Sequence, residues 1–157
     1  MDNMENVEIA KAIVAATTNI FSTMANITPK AGKLFVKTDQ TALGDVSAVI
    51  GVAGTHKGSI CVTFTGKGAL SITQAMLGDD LSEDIDRDIA DTVGEIANMV
   101  SGRARAAMAE KGMVLHGSTP TIIAGERHRV THLSRSPVMC IPFAMPEGAF
   151  TVEFCLE

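Results

Sequence analysis

The sequence predicts an α+β fold with two principal helices, one of them long, packed on a largely antiparallel β-sheet. Two observations carry that prediction. Apolar residues recur at helical spacing in two stretches, near residues 5–26 and 83–110. Short β-branched runs punctuated by glycine fill much of the remaining sequence. Helices that bury one stripe against the face of a sheet are the packing such a pattern calls for.

From Glu5 to about Asn26, the residues Ile9, Ile13, Ala16, Ile20 and Met24 recur at three- and four-residue steps. They form one face of an amphipathic helix that ends before Pro29. The period then changes. GKLFVKT (32–38), DVSAVIGVAG (45–54) and GSICVTFTG (58–66) read as strands, with Thr55, His56 and Lys57 at a hairpin between the last two. KGALSITQAMLG (67–78) reads as a short helix closed by Gly78.

The long helix is expected from about Glu83 to Glu110, with Ser82 as its N-cap and Gly112 as its stop. Glu83, Asp84 and Asp86 fill the first turn and Arg103 and Arg105 lie near the far end, an order that suits the helix dipole. Beyond it, MVLHG (113–117), TPTIIAG (119–125), RVTHL (129–133), VMCIPFA (138–144) and AFTVEFCL (149–156) read as further strands. No internal repeat, low-complexity segment or linker interrupts the chain, so residues 1–157 are expected to form one domain.

Composition removes several function classes. Hydrophobic residues make up 46% and charged residues 20%, a globular balance. With six Phe and no Trp or Tyr, the core is expected from Ile, Val, Leu, Met and Ala, and a base-stacking surface is not. A net charge of −5 opposes a phosphate backbone, so no nucleic-acid partner is expected. Cys61, Cys140 and Cys155 are far apart and form no CxxC pair, and they read as reduced, mostly buried thiols of a cytoplasmic protein. MDNMENVEIA lacks the pattern of a signal peptide, and no apolar run reaches the length of a membrane span.

Other signals carry little. His128 and His132 in HRVTH mimic a metal pair, but no acid or cysteine cluster completes a coordination set, so no metal site is expected. GVAGTHKGS lacks the spacing of a phosphate loop. Arg127, Arg129 and Arg135 read as a solvated edge.

The long helix is more informative. At roughly 100° per residue, Ile85, Ile89, Val93, Ile96, Val100 and Ala107 fall on one stripe, the expected core face. Asp91, Glu95, Asn98, Gly102 and Arg105 fall opposite. Glu95 and Asn98 stand at i and i+3, about 5–6 Å apart at Cβ. Gly102 lies one turn beyond Asn98 and leaves the backbone open to an approaching partner. Most such faces are merely solvated. Here, however, asparagine and glycine are both poor helix formers, glycine by about 1 kcal/mol relative to alanine, and a face without a task is served as well by Lys, Gln or Ala. Their concentration around one acid–amide pair marks a candidate site.

DTVGEIANMVSGRARAAM followed by GSTPTIIAG resembles the signature of the CheC/CheX family of chemotaxis phosphatases. That signature is an Asp or Ser, three residues, Glu, two residues, Asn and, further on, a Pro. It falls on Asp91, Glu95, Asn98 and Pro120. The likeness extends over nearly the whole chain, through NIFSTMANI, GKL and SITQAMLG in family order. CheC-type members carry two such helices and CheX-type members one. The first helix here offers Asn19 but has Ala16 where the acid belongs, so the chain resembles the CheX type, with one complete site.

The resemblance implies an enzyme that hydrolyses the phosphoaspartate of a phosphorylated CheY-type response regulator. It implies that the regulator carries the phosphoryl group and Mg²⁺, so that this chain binds no cofactor of its own. Glu95 would dock onto a lysine of the regulator and Asn98 would position the attacking water. Asp91, Gly102, Arg105 and Pro120 would meet the partner around them. A homodimer formed through sheet edges is also implied. The alternative is a non-catalytic chemotaxis or flagellar interaction module with the same fold, which has no need of an intact Glu95/Asn98 pair.

Overall fold

The computed structural model describes residues 3–132 and 134–157. Helix α1 (Asn3–Ala25) buries Ile9, Ile13, Ala16 and Ile20 as its periodicity predicts, but Met24 is 45% exposed. Each four-residue step drifts about 40° round a helix of 3.6 residues per turn. By the last turn Phe21 and Ala25 have therefore taken over the core positions. Asn26, at φ 53°, then turns the chain out of the helix.

Eight strands follow: β1 (Lys30–Ala31), β2 (Phe35–Lys37), β3 (Val46–Gly54), β4 (Gly58–Phe64), β5 (Leu115–Gly117), β6 (Thr121–Ala124), β7 (Val138–Ala144) and β8 (Ala149–Leu156). Among the described residues they form one antiparallel sheet of order β1-β7-β8-β4-β3-β5, with β2 also on β7 and β6 also on β3. β3 and β4 form the hairpin the sequence predicts, and they pair from Val46↔Phe64 to Val52↔Gly58. Within the expected strand 32–38, only residues 35–37 pair.

Three α-helices pack on one sheet face among the described residues. Helix α2 (Gly66–Leu77) is capped by Thr65, whose Oγ1 accepts from the Gly68 N–H at 3.0 Å, and Gly78 ends it at φ 52°. Helix α3 (Ile85–Ala109) is only slightly longer than α1. Its N-cap is Asp84, which accepts from the Arg87 N–H at 3.2 Å, and not Ser82. Aspartate caps as well as serine. Ser82 is instead tied to Asp88, donating from its backbone N–H at 2.7 Å and from its hydroxyl at 2.9 Å.

The core between helices and sheet holds alternate residues of the central strands, among them Ile60, Val62, Val152 and Phe154. The aliphatic core expected from composition needs correcting. Phe21 of α1 stacks on Phe150, and Phe150 stacks on Phe64 and Phe143, with ring centroids 4.6, 5.0 and 4.7 Å apart. Four of the six phenylalanines are thus gathered at one point, where stacked rings add to the burial that aliphatic side chains supply.

The opposite sheet face is mixed and covered, with a small apolar cluster of Ala42, Cys61 and Val130 beside the buried Ser47, Ser59, Thr63 and Glu153. Residues 129–132 of RVTHL form no strand: Arg129 makes an isolated bridge to Thr41, and the segment after β6 crosses this face to reach β7. Leu133 lies outside the described residues. Two histidines fasten the crossing. His128 donates from Nδ1 to the Gly125 carbonyl at 2.8 Å and accepts at Nε2 from the Ser47 hydroxyl at 2.5 Å. His132 accepts at Nδ1 from Ser59 and donates from Nε2 to Glu153 at 3.1 Å. Glu153 also pairs with Lys37 of β2, and the two side chains are only 1% and 6% exposed. Burial on its own raises the Glu153 pKa, but the hydrogen bonds from His132 and Lys37 and the charge of Lys37 outweigh it and hold the carboxyl below its ordinary value.

All three cysteines are free and buried. Burial first, and the charge of Glu153 second, pushes the thiols of Cys61 and Cys140 up to about 12. Since the thiolate is the nucleophile, iodoacetamide at about pH 8 is expected to leave both unmodified in the folded protein and to label them only in denaturant. Mass spectrometry of digested samples checks this. No helix of the described residues is long and apolar enough to cross a membrane.

Candidate functional site

Helix α3 packs on α1, on α2 and on β3 to β6. It buries Val93, Ile96, Ala97, Val100, Ala104 and Met108. Ala107, expected on the core face, is exposed. The rotation that displaces Met24 from its stripe also brings Ala104 and Met108 inward in its place.

Of the five residues expected opposite, Gly102 and Arg105 are half-buried and three are exposed. Asp91, Glu95 and Asn98 are exposed, and none of their side chains has a hydrogen-bond or ion-pair partner among the described residues. Asp91, Glu95, Met99 and Arg103 follow one another at four-residue steps, so they form one row. Asn98 and Gly102 form the neighbouring row.

On one flank the helix meets the sheet edge. A Cβ at Gly94 would lie 3.3 Å from Ile122 Cδ1, so glycine lets β6 sit tightly against α3. Arg105 is half-buried and already engaged. Its Nε donates to Ser101 Oγ at 3.1 Å and its Nη1 to the Leu115 carbonyl at 3.5 Å. A Cβ at Gly117 would fall 2.8 Å from Arg105 Nη2, so the guanidinium lies against bare backbone and ties β5 to the helix. Arg103 and Arg105 both precede the last turn of α3, which holds no basic residue, so they do little for the helix dipole.

The structure sets Pro120 half-buried, immediately before β6, where a fixed φ starts the strand without removing a ladder donor. Gly102 is half-buried, and a Cβ there would make only an ordinary 3.8 Å contact with Arg105. Nothing among the described residues requires glycine at that position.

On the other flank lies the second half of α1. Asn19, Ile20, Thr23 and Met24 face Met99 and Arg103 across a hollow of about 230 Å³. The Asn19 side chain is exposed while Ala16 is buried, so no second acid–amide pair forms on α1. Sequence reasoning missed Met24, Met99, Gly94 and Gly117 as parts of the site. Only Gly94 carries a local signal, a glycine inside a helical pattern. Among the described residues no group of three or more His, Cys, Asp or Glu is placed to hold a metal ion.

The sequence profile of the family described as chemotaxis phosphatase CheX matches residues 46–144. A relative from Thermotoga maritima named CheY-P phosphatase CheX is 25% identical over 117 residues, which span 74% of this chain and 76% of the relative. The crystal structure of a chemotaxis protein CheX from Desulfovibrio desulfuricans is 54% identical and superposes with a TM-score of 0.89, covering 96% of this chain and 99% of that one. The CheX of Borrelia burgdorferi, solved in complex with CheY, BeF₃ and Mg²⁺, shares the fold at 23% identity and a TM-score of 0.78, with 94% and 97% of the two chains covered. The exposed Glu95/Asn98 face of α3 is thus carried by a chain that belongs to the chemotaxis phosphatase CheX family.

Proposed function

We propose that this chain accelerates hydrolysis of the phosphoaspartate of a CheY-type response regulator, with residues 1–157 acting as one domain. The observation that carries the reading is the pair Glu95 and Asn98, exposed together and unpartnered on α3. The name of the Thermotoga maritima relative, CheY-P phosphatase, and the solved complex of the Borrelia burgdorferi protein with CheY support it. The reading places the chain in the cytoplasm with its regulator.

The chemistry asks little of the phosphatase. Mg²⁺ belongs to the regulator, where it neutralises charge on the phosphoryl oxygens. Phosphoryl transfer passes through a loose transition state in which positioning and electrostatics supply most of the help. The Asn98 carbonyl accepts a hydrogen bond from water and aims the water's oxygen in line with the scissile P–O bond. An amide is no base, and none is required for so reactive an acyl phosphate. Glu95, placed near a phosphoryl group, is repelled by it unless it meets a cation, so its role is to pair with a lysine of the regulator. Asp91, Gly102, Arg105 and Pro120 form the rim. Arg105 acts there chiefly by holding β5 against α3.

The test is phosphate release from the phosphorylated regulator in Mg²⁺, with and without this chain. Acceleration supports the phosphatase. Binding without acceleration would make the chain a docking module instead. Glu95→Ala is expected to raise KM and lower kcat/KM by about tenfold or more, because the regulator's lysine loses its partner.

The homodimer we propose forms through the free side of β2. There Phe35 and Val36 are 40% and 52% exposed, and β2 pairs with β7 alone among the described residues. An apolar edge strand left bare invites another chain. Val36→Glu is expected to convert the dimer to a monomer in light scattering while leaving the fold intact. An unchanged mass would remove β2 from the interface.

A further inference from the structure

Beside the acid–amide pair lies the hollow between α1 and α3. Glu95, Met99 and Arg103 form a row about 12 Å long, eight residues at 1.5 Å each. Asn19, Ile20, Thr23 and Met24 of α1 complete its wall. Met24, turned out of the core by the helix's own rotation, is 45% exposed here and gives the hollow an apolar wall. Arg103 is exposed and has no hydrogen-bond or ion-pair partner among the described residues. One surface strip thus offers a carboxylate, an apolar floor and a cation in a fixed sequence.

We infer that this hollow is a second anchor for the phosphorylated regulator and sets which regulators the chain accepts. It takes an apolar side chain of the regulator. That side chain is flanked on the regulator by a cation facing Glu95 and, about 12 Å away, a carboxylate facing Arg103. The inference rests on the proposed phosphatase reading. A second copy of this chain seated here would cover Glu95, the residue that reading needs free.

Electrostatics favour a second anchor. A phosphoryl group brings about −1.5 to −2 charges, and the α3 face directed at it carries Asp91 and Glu95. The regulator's Mg²⁺ and the lysine facing Glu95 offset this repulsion but leave Asp91 without a cation, so attraction away from the phosphate adds to docking. Burial of an apolar side chain adds affinity without charge, and Arg103 supplies attraction away from the path of the attacking water. Unbranched thioethers suit the floor, because Met24 and Met99 reshape around the side chain they receive. The opposed charges reject a regulator with the reverse pattern, which is specificity by repulsion as well as by fit.

The test is steady-state dephosphorylation of a CheY-type regulator, phosphorylated with a small acyl phosphate in Mg²⁺, by the full chain and by Met24→Gln, Arg103→Glu and Arg103→Lys. Met24→Gln and Arg103→Glu are each expected to raise KM on the order of tenfold, with kcat within about twofold and thermal unfolding unchanged. Arg103→Lys keeps most of the affinity, because charge and not planar geometry is what the carboxylate reads. Unchanged KM in both Met24→Gln and Arg103→Glu, with an active unsubstituted chain, would overturn the inference and leave the phosphatase standing. A fall in kcat alone, or a changed oligomeric state at constant KM, would also overturn it. If the unsubstituted chain gives no acceleration at all, the proposed function fails and this inference with it.

Discussion

Asn98→Ala is expected to lower accelerated phosphate release roughly 10²-fold or more, the scale on which loss of alignment slows a reaction. Binding of the regulator should be nearly unaffected. The side chain is exposed and without an internal partner, so its removal leaves no buried group stranded and opens no cavity. Alanine is also the better helix former, so α3 is expected to hold its fold or gain slightly. Single-turnover release, with calorimetric binding to a regulator held in its phosphorylated form by a stable mimic, separates the two effects. Release at the unsubstituted rate would remove Asn98 from the mechanism. Asn98→Asp makes a sharper comparison. A carboxylate also accepts a hydrogen bond from water, but it adds negative charge beside the phosphoryl oxygens, so partial activity at most is expected.

The second large effect concerns stability. Glu153→Ala is expected to destabilise the fold by about 3–5 kcal/mol, because it strands Lys37 in a covered site and takes away the acceptor of His132. For a chain of this size that corresponds to a fall in Tm of roughly 10 °C. The pH dependence identifies the cause. Glu153 has its folded pKa depressed, so its contribution is present above the ordinary carboxylate value of about 4.3 and is lost as pH falls through the lower folded value. Glu153→Gln keeps the shape and cannot titrate, so it should be less stable near neutrality and lack this acid-induced loss. Thermal melts from neutral to acid pH check both. A Tm for Glu153→Ala within a degree or two of the unsubstituted protein would show that water has access to Lys37.

Much of this fold is legible in the sequence where one local rule decides it. VMCIPFA and AFTVEFCL match β7 and β8 residue for residue, because both runs are apolar, β-rich and bounded by turn residues. The polar face of α3 is legible for a similar reason: periodicity alone puts Glu95 and Asn98 opposite Val93 and Val100.

Failures begin where contacts come from far away in the chain. RVTHL alternates like a strand, yet its alternation serves to set His132 on the serine of a strand below rather than to pair its backbone. The pair His128 and His132 looks like a metal motif because Ser47, Ser59 and Glu153 are remote in sequence. Glu153 itself shows only as a lone acid in an apolar strand. The flanks of the site are tertiary in the same way. Ile122 under Gly94, Gly117 under Arg105 and Met24 beside Met99 each join segments that no local pattern relates.

Strand β8, the last in chain order, lies at the middle of the sheet, hydrogen-bonded to β4 on one side and β7 on the other. During synthesis on a ribosome, helix α3 and its acid–amide pair therefore emerge while the sheet beneath them is still open between those two strands. The nascent chain must keep the apolar edge of β4 out of trouble until residues 149–156 clear the exit tunnel, since edges of this kind recruit other chains. Maturation of the site is in this sense a late event. A slow translation step before residues 149–156 would lengthen the time that this edge stays unpaired.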